Sequence, residues 1–165
     1  MIHAVFLKSL SSSQATINDG EARLVHNNYN LRKDSIKRDK MKRTVFSKKA
    51  PKPIGPYSQA VKADKFLFVS GQLPIDPKVG KIVAMGIALQ TRQVMENIKA
   101  ILKAADYAMK DVVSTNVYLS SMTLFDQFNS EYAKFFNGEP PARATLGCEL
   151  KEGALVEVSV VAYKG

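Results

Sequence analysis

Residues 41–165 predict an α+β fold: a mixed β-sheet with two helices packed on one of its faces. Three observations carry this expectation. Several short runs alternate apolar and polar residues with the two-residue period of a half-buried strand. Two longer runs repeat at helical spacing instead. The order of the runs is strands, helix, strand, helix, two strands, which puts both helices over one layer of sheet.

Arg43 to Ser47 alternates weakly and reads as the first strand. Pro51, Pro53, Gly55 and Pro56 then impose an irregular loop, because proline fixes φ and removes a backbone donor. Strands follow at Tyr57 to Lys62 and Lys65 to Gln72, with Ala63 and Asp64 at the corner. The second of them, KFLFVSGQ, is almost continuously apolar and ends in Ser70 and Gly71, the composition of a central strand opening toward a pocket. Pro74 to Gly80 reads as a turn-rich loop. From Ala88 to Tyr107, Leu89, Val94, Met95, Ile98, Ile101 and Leu102 oppose Arg92, Glu96, Lys99 and Lys103, an amphipathic helix.

Asp111 to Ser120 alternates as a strand, and Thr123 to Phe136 spaces Phe125, Phe128, Tyr132, Phe135 and Phe136 as a second helix whose aromatic stripe reads as core. The last two runs, Ala142 to Leu150 and Leu155 to Tyr163, flank the polar turn Lys151 to Gly153 and read as an antiparallel pair. That pairing lays Arg143 and Glu157 on one partly polar sheet face. It puts Cys148 with Leu146 and Leu150 on the helix-covered side, as a small core residue. The face left without helices is too apolar for water, which suggests packing against other copies.

Residues 1–40 differ from the rest: they carry serine and asparagine clusters and a mixed charge run without sustained periodicity, and read as a weakly ordered N-terminal extension. Asp19, Glu21, Asp34 and Asp39 count against a mitochondrial presequence, leaving a cytoplasmic chain as the first expectation and a mitochondrial one as the alternative. No apolar run is long enough to span a bilayer. The net charge of +9 is spread along the chain and reads as solvated surface, with a nucleic-acid groove as the second reading should the lysines converge. One cysteine excludes an internal disulfide and a cysteine-rich metal site.

The only histidines, His3 and His26, lie in the extension, so from Met41 onward no serine or cysteine nucleophile has a histidine base and no metal site of the usual His and Cys ligands can form. Carboxylate chemistry remains. Of eleven Asp and Glu residues after Met41, Glu157 alone is flanked on both sides by a long β-branched strand. There it is either ion-paired, with Arg143 the obvious partner, or has a raised pKa suited to a general acid or base. Spacing leaves both readings open.

PPARAT, with a glutamate in LVEVSVVA and preceded by IGPYSQAV, FLFVSGQLP and FNSEYAKFF, resembles the Rid family of reactive intermediate deaminases. The resemblance spans about Lys42 to Lys164. It implies a chorismate-mutase-like fold, a homotrimer around a central barrel and active sites in clefts between subunits. The implied reaction is hydrolysis of 2-imino acids, such as 2-iminobutanoate and 2-iminopropanoate, to 2-keto acids and ammonia without metal or organic cofactor. By the same resemblance Arg143 clamps the substrate carboxylate, Glu157 activates water, and Tyr57, Ser70, Gly71, Asn129 and Thr145 line the cleft. Thr145 stands where many members have cysteine, which removes any thiol from the implied chemistry. Related proteins also suggest an endoribonuclease or translation inhibitor, and a non-catalytic 2-keto acid binding module is the third reading.

Overall fold

The computed structural model describes residues 42–83 and 86–165. The extension expected over residues 1–40 lies outside them. The described elements are β1 (Arg43–Val45), β2 (Ala60–Ala63), β3 (Phe66–Gln72), β4 (Ile75–Asp76), β5 (Lys81–Ile82), α1 (Ile87–Ala104), β6 (Val112–Leu119), α2 (Phe125–Tyr132), β7 (Ala142–Gly147) and β8 (Val156–Tyr163). Six strands form one sheet in the order β1-β2-β3-β8-β6-β7. All neighbours are antiparallel except β6 and β7, which are joined through α2 and run parallel. β4 and β5 make a small separate hairpin within what the sequence presents as a loop.

Both helices cover one face. Val94, Met95, Ile98, Ile101 and Leu102 of α1 and Phe128 of α2 are fully buried in the same cluster as Leu67, Val117, Leu119, Val156, Val158 and Ala162 from the sheet. The β2–β3 corner is closed by Asp64 at φ 52°, a left-handed conformation that aspartate tolerates better than most residues.

Three buried amides fasten loops to this frame. Gln59 accepts from Ser47 N at 2.6 Å and donates to Pro51 O at 2.7 Å, fixing the proline-rich loop against β2. Gln90 donates to Val83 O and Gly153 O and accepts from Leu155 N. Asn97 donates to Leu73 O and Ile75 O, holding the exit of β3. Each satisfies backbone groups that would otherwise be buried without a partner.

α1 and α2 are clasped by a buried carboxylate: Glu131 accepts from Arg92 Nε at 2.7 Å and from Lys134 Nζ at 2.6 Å. Those hydrogen bonds, Arg92's first, hold its pKa below the ordinary 4.5 against the opposing effect of burial. A folded-state pKa below the unfolded one stabilises the fold above the unfolded value, and the contribution is lost as pH falls through the folded value. Glu131→Gln is expected to destabilise the protein by roughly 1–2 kcal/mol at pH 7. Thermal melts should show that deficit shrinking as the pH is lowered below 4.5.

The structure corrects the expected pairing of the last two runs. β8 lies between β3 and β6, and β7 lies on the sheet edge beyond β6, so the two never touch as a hairpin. The reason is composition. Val156, Val158, Val160 and Ala162 are all but inaccessible to solvent, which suits a strand with neighbours on both sides, whereas Ala142, Arg143, Ala144, Leu146 and Gly147 remain exposed as on an edge. The facing of β7 is corrected with it. Arg143 pairs with Thr115, and Thr115 pairs with Val160; both partners are buried on the helix side. Cys148 lies past the end of β7 and is exposed, not a core residue.

Candidate functional site

The sequence-selected residues fall into two groups on opposite faces of the sheet. The first surrounds the end of β3. Its pairing with β8 slips between Val69 and Gln72, and at that irregularity Gly71 lies directly under the Glu157 side chain. A Cβ on Gly71 would come within 2.9 Å of Glu157 Cδ and would collide with Oε1, so only glycine leaves room for the carboxylate. Glu157 is half-buried on the face away from α1 and α2, opposite Tyr118. Among the described residues it has no ion-pair partner, and burial raises its pKa above 4.5.

Ser70 Oγ donates to Ser58 O at 2.7 Å and Ser70 N to Gln59 O at 3.0 Å, which anchors this end of β3 to the chain entering β2. Tyr57 is exposed, its hydroxyl accepting from Ile54 N at 3.3 Å, and it lines one small cavity together with Gly71, Gln59 and Leu73.

The second group lies on the helix side, at the β7 edge. The Arg143 guanidinium carbon is 4.9 Å from the Tyr132 ring centroid and 5.6 Å from those of Phe125 and Phe128. Among the described residues it too has no carboxylate partner. A groove runs from it past Asn129, Tyr132, Phe136, Pro140 and Pro141. Asn129 Oδ1 and Thr145 Oγ1 are buried here and have no hydrogen-bond partner among the described residues, a state that costs about 1–3 kcal/mol per group unless a ligand or a second chain supplies one.

Arg143 and Glu157 therefore do not share a face, and the ion pair that spacing left open does not form within the chain. β6 separates their strands. Asn129 and Thr145 lie on the Arg143 side; Gly71 lies under Glu157, with Ser70 beside it in β3 and Tyr57 lining a cavity with Gly71. The aromatic stripe of α2 is core, as the sequence suggests, yet it is also the surface on which Arg143 rests. The signal was present: Phe125, Phe128, Asn129 and Tyr132 are spaced i, i+3, i+4, i+7 along one helix face. Among the described residues no cluster of three or more His, Cys, Asp or Glu is placed to hold a metal ion, and no helix is long and apolar enough to cross a membrane.

Residues 47–164 match the family model described as endoribonuclease L-PSP. A RutC family protein of Pyrococcus horikoshii is 52% identical over 125 residues, which cover 75% of this chain and 99% of the relative. The 2-iminobutanoate/2-iminopropanoate deaminase of Homo sapiens is 38% identical over 126 residues, 76% of this chain and 92% of the relative. A crystal structure of a Yersinia pestis protein of the conserved Rid family, described as of unknown function, matches with a TM-score of 0.72 at 41% identity, covering 74% of this chain and 99% of that one. With the fold, the separated motifs and these relatives in agreement over nearly all of the described residues, the chain belongs to the Rid family, the family of the endoribonuclease L-PSP model.

Proposed function

We propose that this protein hydrolyses 2-imino acids, 2-iminobutanoate and 2-iminopropanoate among them, to 2-keto acids and ammonia. In this reading the catalytic cleft is completed by a second copy within a homotrimer. One observation carries it: a cation and a carboxylate, both suited to this substrate and both without an ion-pair partner among the described residues, stand on opposite faces of the sheet. They can meet only if the Arg143 edge of one copy reaches the Glu157 face of another. The surfaces suit such an assembly. The face away from α1 and α2 exposes Phe66, Phe68, Val113, Leu146 and Tyr163, and β7 is the edge strand of the described sheet. The human relative of deaminase name supports the reaction class.

Arg143 holds the substrate carboxylate through its planar fork of donors, and Asn129 and Thr145 supply the neighbouring polar contacts. Glu157 takes a proton from water as the water oxygen bonds to C2 of the imine, and passes it to the nitrogen, giving a carbinolamine. Glu157 then takes the hydroxyl proton and delivers it to the amine nitrogen as the C2 carbonyl forms, so that the C–N bond breaks and the nitrogen leaves as ammonia. Burial serves this cycle, since by raising the Glu157 pKa it makes the carboxylate a stronger base toward water. Tyr57, Ser70 and Gly71 wall the cleft, and none of these steps calls on a metal or organic cofactor.

The test is ammonia release from freshly generated 2-iminobutanoate, run beside cleavage of a labelled RNA and calorimetric titration with 2-ketobutyrate. Ammonia release above the spontaneous rate is the expected result. RNA cleavage without it would favour the endoribonuclease reading, to which the family description and the +9 charge lend support; keto acid binding without turnover would mean a binding module. Light scattering should return three chains per particle. Gly71→Ala should displace the Glu157 carboxylate and lower turnover by about tenfold or more, since small misplacements of a catalytic group are costly. The keto acid titration should show binding largely kept.

A further inference from the structure

The geometry points to Phe125, Phe128 and Tyr132 as an aromatic seat that positions the Arg143 guanidinium for its carboxylate ligand, with Tyr132 the principal positioning residue. This rests on the reading of Arg143 as the carboxylate clamp. An exposed arginine on an edge strand has many rotamers to lose on binding. The usual device for fixing it is an acidic neighbour, but an acidic neighbour occupies the donors that a ligand needs. Among the described residues Arg143 has none. It has three rings instead, with its guanidinium carbon 4.9 Å from the Tyr132 centroid and 5.6 Å from the other two. Attraction between a cation and a ring face orients the guanidinium without consuming its N–H groups.

The seat is itself held in register with the arginine. Tyr132 is buried, and its hydroxyl lies 2.9 Å from Thr115 Oγ1. Thr115 is the residue directly across from Arg143 in the β6–β7 pairing. The ring under the guanidinium is thus tied to the strand position beside the same arginine. Phe128 and Phe136 pack against the Tyr132 ring with centroids at 5.2 Å and 4.9 Å, which restricts its movement.

Two readouts test the seat, one of them independent of any activity. In a nuclear magnetic resonance spectrum of the ligand-free protein, the Arg143 Nε–H proton should be shifted by the ring currents. The shift should persist in Tyr132→Phe and diminish in Tyr132→Leu. In the second readout Tyr132→Phe should bind 2-ketobutyrate about as the wild type does, whereas Tyr132→Leu should bind about tenfold more weakly and raise KM with kcat nearly kept. Because Tyr132 is buried, Tyr132→Leu can fail to fold; Phe125→Leu, at a partly buried ring, then serves in its place with a smaller loss of the same kind. An unchanged Nε–H shift and unchanged affinity in the leucine variants would overturn the proposal, leaving the stripe as core alone. If the wild type binds no keto acid, the clamp reading fails, and the ring-current comparison still decides whether the rings seat the arginine.

Discussion

Glu157→Gln is expected to lower turnover of 2-iminobutanoate by about a hundredfold or more while 2-ketobutyrate binding stays within a few-fold of wild type. Glutamine keeps the shape of the side chain over Gly71 but cannot take a proton from water. The change should also leave stability undiminished at neutral pH. Burial raises the folded-state pKa of Glu157, so the protonated group favours the fold below its unfolded pKa, and that contribution is lost as the pH rises through the folded value. Removing the charge removes that loss. A melting temperature equal to or above that of the wild type at pH 7, together with a collapse of turnover, is therefore the expected pair of results. A carboxylate kept only to brace the fold would give the reverse: lower melting temperature, with activity falling only as far as unfolding requires.

Arg143→Ala is expected to weaken 2-ketobutyrate binding by about a hundredfold, because the ligand carboxylate would enter the groove without its charged donor. Arg143→Lys should recover part of the loss, since an ammonium supplies charge without the planar fork. Stability should change by only about 0.5–1 kcal/mol, the scale of a cation–ring contact at an exposed residue, since among the described residues no ion pair is lost. Calorimetric titration and thermal melts on the same proteins measure both.

The elements of the fold were legible because their periods are clean: the valine alternation of β8, the heptad-like stripe of α1 and the continuous apolar run of β3 each admit one reading. What misled was adjacency. A short polar turn between two alternating runs is the ordinary sign of a hairpin, yet β8 crosses to the middle of the sheet, where its buried valines gain two neighbours. Alternation alone fixes which residues of β7 share a side, not which side faces the helices. Arg143 and Thr145 share a side, as alternation expects, whereas Cys148 lies past the end of β7, exposed and outside the core. The β4–β5 hairpin was missed because two-residue strands in a Pro and Gly setting carry almost no periodic signal.

Glu157 was legible as an anomaly, a lone carboxylate in a valine strand, and the resemblance singled out Gly71; the contact between them was not legible, because it depends on a local slip in the β3–β8 register. Nor could sequence show that Asn129 and Thr145 would each bury a polar atom with no partner among the described residues.

Mixing two inactive variants tests the division of the site most directly. Arg143→Ala and Glu157→Gln chains should be inactive alone, but co-refolded in equal amounts they should place an intact Arg143 edge against an intact Glu157 face at about a quarter of the sites, if chains assort at random within the oligomer. The account predicts that ammonia release returns to about that fraction of the wild-type rate. Mixed oligomers, verified by mass spectrometry, that show no recovery would contradict it, because a site contained within one chain cannot be restored by a neighbour.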